Sequence, residues 1–315
     1  MSSQTTPGMS DEPQGATGTG AGPTTRVLVT GASTGIGRAT VDTLVARGAL
    51  VWAGVRREED AAALEAAYPG RVTALRFDVT DDQAVAAAGA RVCAAGPLSG
   101  LVNSAGVALP APLEFMPLDE FRRQLEINLV GQLAVTQAVL PALRAAAEAS
   151  VQGGPEGGQG TPRPARIVMI GSIGDRVAGP MIGAYHAAKF GLAGLTGSLR
   201  AELAPAGIEV VLVEPGAIAT PIWSRGTKAA DELMAKLPDE AMRRYGAQAR
   251  AAREMAARAA RDGQRPEAVA EVIAMVLEAR RPRPRYLVGR DARAAALLTY
   301  LPDRLRERLM ARFAG

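Results

Sequence analysis

From Thr25 onward the chain alternates between short apolar runs and longer stretches with helical spacing. "RVLVTG" is β-branched and apolar and closes on glycine, and "GIGRATVDTLVARG" then places apolar residues at helical intervals before a second glycine. The rhythm repeats through "ALVWAGV" and "REEDAAALEAAY", "VTALRFDV" and "DDQAVAAAGARVCAAG", and "LSGLVNSAG" and "LDEFRRQLEINLVGQLAVTQAVLPALRAAAE". "RIVMIGS", "AYHAAKFGLAGLTGSLRAELAPAG" and "IEVVLVEPG" continue it, and "RYLVG" adds a final strand. The pattern predicts an α/β fold: a doubly wound parallel sheet of about seven strands with helices on both faces. In such a fold ligands bind beyond the carboxyl ends of the strands.

Three segments depart from the rhythm. Residues 1–24 are rich in Gly, Ser, Thr and Pro and are expected to form a disordered tail before one domain spanning 25–315. Residues 150–165, "SVQGGPEGGQGTPRPA", are expected to form a flexible insertion. The Ala- and Arg-rich stretch within about 221–265 has helical spacing and reads as a solvated arm or as a lid over a substrate. No run of about 18 uninterrupted apolar residues occurs, so a membrane span is not expected and a cytoplasmic location is the default reading.

Composition narrows the chemistry. Lys+Arg 36 against Asp+Glu 32 leaves a net charge of only +4, which gives no reason to expect a nucleic-acid partner. Cys93 is the single cysteine and His186 the single histidine, so an internal disulfide, a multi-cysteine metal site and a histidine-built zinc site are all excluded.

The turn "TGASTGIG" after the first strand carries Gly31, Gly35 and Gly37. With Ser33, Thr34 and Ile36 it forms a candidate phosphate cradle at a helix N-terminus. The second strand ends at Val55 where an acid would receive an NAD ribose, and Arg56 and Arg57 follow, which favours NADP(H) over NAD(H). Asp78, with Val79 beside it, could meet the adenine or cap the next helix. Tyr185 and Lys189 lie one helical turn apart, so a lysine cation can lower the phenol's pKa and make it a general acid and base. Ser172 ends the preceding strand, where its hydroxyl can donate to a carbonyl oxygen. His186 points about 100° away from Tyr185 and reads as structural or substrate-side.

In "TGASTGIG", "DVT", "NSAG", Asn128 in "INLVG", Ser172, "YHAAK" and "PGAIAT", the chain resembles the short-chain dehydrogenase/reductase family over roughly Arg26 to Gly289. The resemblance implies a Rossmann fold and hydride transfer between nicotinamide and a carbinol carbon. By the same analogy Tyr185 is the acid/base, Lys189 tunes it and holds the ribose, Ser172 orients the substrate oxygen, and Asn128 anchors a proton-relaying water. Asn103, Ala105 and Gly106 would pack along the cofactor, and Pro215, Gly216, Ile218 and Thr220 would border the nicotinamide. The family more often has Asn where Ser104 stands. The resemblance further implies a homodimer or homotetramer through the helices carrying Asn128 and Tyr185.

Ile222, Trp223, Leu233, Met234, Leu237, Met242, Tyr245 and Met255 are available to line a pocket for a bulky lipophilic alcohol or ketone. The C-terminal sequence resembles hydroxysteroid and retinol dehydrogenases. Residues 291–313 are also amphipathic and basic, which suits a subunit contact or pocket wall better than a membrane surface. A serine hydrolase is disfavoured because "MIGSIG" is not a G-x-S-x-G elbow. A nucleotide-sugar epimerase would have a different cradle and a longer substrate domain. A non-catalytic NADP-binding regulator is the remaining alternative, and the intact Ser172, Tyr185 and Lys189 argue against it.

Overall fold

The computed structural model describes residues 25–152, 164–306 and 308. The expected tail and residues 153–163 of the expected insertion lie outside the described residues. At the edges of that insertion, helix continues to Gln152 and a strand already begins at Ala165, so its outer residues belong to regular structure.

The strands are β1 (Arg26–Thr30), β2 (Leu50–Val55), β3 (Val72–Arg76), β4 (Gly100–Asn103), β5 (Ala165–Ile170), β6 (Ile208–Pro215) and β7 (Arg285–Val288). They pair in parallel in the order β3-β2-β1-β4-β5-β6-β7. The helices are α1 (Gly35–Ala46), α2 (Glu58–Ala67), α3 (Asp82–Ala94), α4 (Leu118–Leu125), α5 (Gly131–Gln152), α6 (Gly183–Leu203), α7 (Pro221–Met234), α8 (Asp239–Asp262), α9 (Pro266–Glu278) and α10 (Arg290–Leu297).

Burial on both faces explains why the strands read as continuous apolar runs rather than alternating ones. Leu101, Ile167 and Leu212 point into one core with Val135, Leu143 and Leu192. Their neighbours Val102, Val168 and Val213 point into the other with Val41, Leu44 and Ile273. The chain reverses direction across the sheet between β1 and β4, which opens a crevice beyond their carboxyl ends.

The single long helix expected from 118 is interrupted by a π-helical turn at Glu126–Val130, between α4 and α5. The continuous helical stretch Leu118–Ser150 is long and apolar enough to cross a membrane by length and composition, with mean hydropathy 1.3. Val135, Val139, Leu143 and Ala147 of this stretch are buried in the core. The Ala- and Arg-rich stretch forms α7 and α8. Helix α9, which packs beside α1, was not anticipated. In the C-terminal amphipathic segment Leu297 and Leu305 are exposed, while Leu309 and Phe313 lie outside the described residues.

Arg166 ties the lower end of this architecture together. It is fully buried on β5, donates to Glu209 at 2.7 Å and to the Leu277 carbonyl at 2.6 Å, and also reaches the Ala279 carbonyl. A guanidinium thus satisfies the last carbonyls of α9, where the helix dipole is negative. Arg166→Met leaves those groups unpaired and is expected to cost about 3 kcal/mol. Equilibrium denaturant unfolding checks this, and an unchanged midpoint contradicts it.

Candidate active site

The cradle follows from three close approaches. Gly31 has φ +64°, and a Cβ there would lie 2.8 Å from the Ala105 Cα. A Cβ on Gly37 would collide with the Gly31 carbonyl, and Gly35 has φ +58° beside Thr220. Thr34 caps α1 by position, yet its side chain makes no cap hydrogen bond and the first turn holds no acid. The amides of that turn therefore face the cleft with no negative side chain opposing a phosphate, which fits a dinucleotide. Thr30, which sequence reasoning did not single out, accepts from the Ser104 and Ala105 amides at 3.0 and 3.1 Å. Its only sequence signal was a hydroxyl closing an apolar strand.

A stripe of polar residues on α4, the π turn and α5 holds the opposite wall. Gln124 accepts from the Leu109 amide at 3.0 Å, and Asn128 both accepts from and donates to the Val107 backbone at 2.9 Å. Gln132 donates to the Ala105 carbonyl at 2.9 Å, and Asn103 donates to the Thr136 hydroxyl at 3.0 Å. Asn128 is fully buried, and both ends of its amide bond this loop. Asn103 is likewise buried behind the wall, so neither asparagine lines the cleft.

Tyr185 and Lys189 project from the first two turns of α6, with the ammonium 5.6 Å from the centre of the phenol ring. Lys189 is buried and donates to the Ile170 carbonyl at 2.8 Å. Burial raises the Tyr185 pKa above the ordinary phenol value; contact with the Ser172 hydroxyl opposes the rise and the Asp175 charge adds to it. The expected lowering by Lys189 is therefore not the balance here. Burial acts on the lysine too and brings its pKa down to about 8, against the opposing charge of Asp175. His186 is structural: Gly179 N–H donates to Nε2 at 3.1 Å, leaving Nδ1–H to donate to the Gly174 carbonyl at 2.9 Å.

Beneath Ser172 lies a charged cluster that no motif announced. Ser172 and Asp175 form a capping box around a short turn, in which the Ser172 hydroxyl accepts from Gly174 N–H at 3.0 Å. Asp175 and Glu214 are buried carboxyls. Arg285 donates to Asp175 at 2.8 Å and to Glu214 at 2.6 Å, while Arg176 donates to Glu214 at 2.5 Å. Burial and the neighbouring Glu214 raise the Asp175 pKa to about 8. Burial also opposes ionisation of Glu214, but hydrogen bonds from the two arginines outweigh it and bring that carboxyl to about 2. At neutral pH the pair thus shares one proton, held on Asp175.

The cradle, Arg56, Asp78, Val79, Ala105, Gly106, Ser172, Tyr185, Lys189, Pro215, Gly216, Ile218 and Thr220 all line one cleft of about 530 Å³. Arg56 faces Asp78 at 3.6 Å, whereas Arg57 turns away to grip Asp60 at 2.9 Å and is not part of the lining. The far wall is Leu109, Pro110, Ile182, Ile222, Trp223, Leu233 and Met255. Met234, Leu237, Met242 and Tyr245 do not reach it; Tyr245 instead donates to Glu114 at 2.7 Å.

The carboxyl pair has a measurable signature. A folded-state pKa raised from 3.8 to about 8 gives stability that is complete below the lower value and is lost as pH rises through the upper one. Asp175→Asn keeps a donor toward Glu214 and does not titrate. Its melting temperature is expected to gain on the wild type as pH rises from 5 to 8. A difference that stays flat or runs the other way in a thermal-melt series contradicts the shared proton.

Comparison with known proteins agrees with this geometry. The short chain dehydrogenase family profile matches residues 25–231. An NADPH-dependent 3-dehydrocapnine reductase of Ornithobacterium rhinotracheale is 38% identical over 63% of this chain and 67% of its own. Human retinol dehydrogenase 16 is 31% identical over 90% of this chain and 87% of its own. A short chain dehydrogenase from Burkholderia cenocepacia J2315, solved with NADP, superposes with TM-score 0.66 at 26% identity, covering 93% of this chain and 98% of that one. With the nucleotide cradle and the Ser172, Tyr185 and Lys189 groups meeting in one cleft, the chain belongs to the short-chain dehydrogenase/reductase family, oxidoreductases acting on CH–OH groups.

Proposed function

We propose that the protein uses NADP(H) to interconvert an alcohol with a ketone or aldehyde on a bulky lipophilic substrate. The observation that carries the reading is the convergence of Ser172, Tyr185 and Lys189 on the cleft that the phosphate cradle opens into. When bound, the cofactor supplies or accepts the hydride. The protein's own groups manage the proton. Ser172 donates to the substrate oxygen, and Tyr185, kept protonated at neutral pH by its raised pKa, delivers a proton as the oxygen gains charge. Lys189 carries its charge below about pH 8 and favours the phenolate as it forms.

NADP(H) over NAD(H) is supported by the absence of an acid at Val55 and by the exposed Arg56, whose contact to Asp78 is long enough at 3.6 Å to yield to a 2'-phosphate. The names of the reductase and of the NADP-bound structure point the same way. The lipophilic substrate is supported by the apolar far wall and by a relative named for retinol. Assembly as a homodimer or homotetramer is supported by exposed Val130 and Phe190 and by the open space over Gly194 and Gly197 on the outer face of α6.

NADPH and NADH titrated in parallel against the wild type and Arg56→Asp test the cofactor. NADPH is expected to bind more tightly, and the variant to lose that preference. A wild type that prefers NADH overturns it. For the chemistry, Tyr185→Phe is expected to lower kcat by roughly 100-fold or more. The kcat/KM for carbonyl reduction is expected to fall as pH rises through about 8, where Lys189 loses its charge. A profile level to pH 10 would remove Lys189 from the proton step.

A further inference from the structure

The first turns of α7 sit directly over the phosphate cradle. Thr220, the residue before α7, packs on Gly35, where an added Cβ would meet its methyl at 3.1 Å. Six residues further on, a Cβ at Gly226 would meet the Ala108 carbonyl at 2.5 Å, so this end of α7 is wedged between the cradle and the loop after β4. Arg225 lies between these two close approaches. It is exposed, lines the cleft, and donates from Nη1 to the Thr34 hydroxyl at 3.3 Å.

That hydrogen bond takes an unusual acceptor. Thr34 holds the N-cap position of α1, where a threonine hydroxyl ordinarily accepts from an amide of the first helical turn. Here it makes no such bond and faces Arg225 instead. The uncapped amides and the guanidinium therefore border the same space, and a doubly charged pyrophosphate is the group that uses both.

The other cations of the lining have different assignments. Arg56 faces Asp78, Arg123 pairs with Glu120 at 3.7 Å, Lys189 is buried beside Tyr185, and Lys236 lies near the far end of α7. Among the described residues of the cleft, Arg225 is the cation bonded to the cradle itself.

Helix α7 is also tied to its neighbours. Asp231 pairs with Arg253 of α8, and α8 is held to Glu114 through Arg244 and Tyr245, both at 2.7 Å. Leu233 of α7 and Met255 of α8 line the substrate side of the same cleft. A force on Arg225 is thus applied to a helix pair that carries part of the substrate wall.

We propose that Arg225 is a cofactor-binding residue that exchanges the Thr34 hydroxyl for the cofactor's pyrophosphate and so holds α7, and α8 with it, more firmly over the cleft when cofactor is bound. This rests on the dinucleotide reading above and adds a specific residue and a link from the cofactor to the substrate wall.

NADPH binding by wild type and Arg225→Gln, followed by nicotinamide fluorescence, tests it alongside adenosine 2'-phosphate, which lacks the pyrophosphate, followed by calorimetry. Hydrogen exchange of residues 221–234 reports the helix. NADPH is expected to bind the variant roughly 10-fold or more weakly, adenosine 2'-phosphate to bind both proteins alike, and NADPH to protect 221–234 in the wild type far more than in the variant. Arg225→Lys should recover part of the NADPH affinity. Equal NADPH affinity in wild type and glutamine variant overturns the proposal, as does an equal loss for both ligands or equal protection of the helix. A wild type that binds no dinucleotide overturns the cofactor reading itself and this proposal with it.

Discussion

The site depends on a match between two repeats. Four residues of helix advance about 6 Å, and two residues of extended chain advance about 6.6 Å. A stripe of polar side chains at every fourth helical position can therefore address every second residue of a neighbouring extended segment. Gln124, Asn128 and Gln132 do this against the backbone of Leu109, Val107 and Ala105, and Thr136 continues the stripe to the side chain of Asn103. The segment after β4 has no further strand partner at the switch point, and buried backbone groups must find partners elsewhere. The helix supplies them. The ladder holds Ala105 close to Gly31, which sets the distance between the two lips of the crevice.

Much of this was legible in the sequence, because the signals were periodic or local. Seven apolar runs gave seven strands, and glycine spacing marked the cradle because positive φ and close backbone approach demand glycine at Gly31 and Gly35. Tyr185, Lys189 and Ser172 were legible because one helical turn and one strand end fix where they point. What was not legible is long-range. Asp175, Glu214 and Arg285 stand 39 and 71 residues apart in sequence, and they become a cluster only when β6 and β7 pair beside the turn after β5. Arg57 matched its motif by type, but the acid three positions on, Asp60, captured it. Met181, buried at φ +71° with its carbonyl accepting from Ala111, is a strained turn that its residue type conceals.

The cluster also explains how the reacting pair keeps its charges in order. In water a phenol and an ammonium titrate close together, near 10.0 and 10.5. Burial disfavours whichever form is charged, so it pushes the phenol up and the ammonium down and reverses their order. Near neutral pH the phenol remains protonated and the lysine still carries its charge, the arrangement from which a proton can be given to a substrate oxygen. Charge on Asp175 is one of the causes that raise both values, and it makes the phenol a weaker acid. Sharing one proton with Glu214, under two arginines, holds that charge back until the pH approaches about 8. The same carboxyl receives the Ser172 amide and Arg285, so one buried group at the meeting of β5, β6 and β7 positions the serine and adds, after burial and the serine contact, to the control of the tyrosine's acidity.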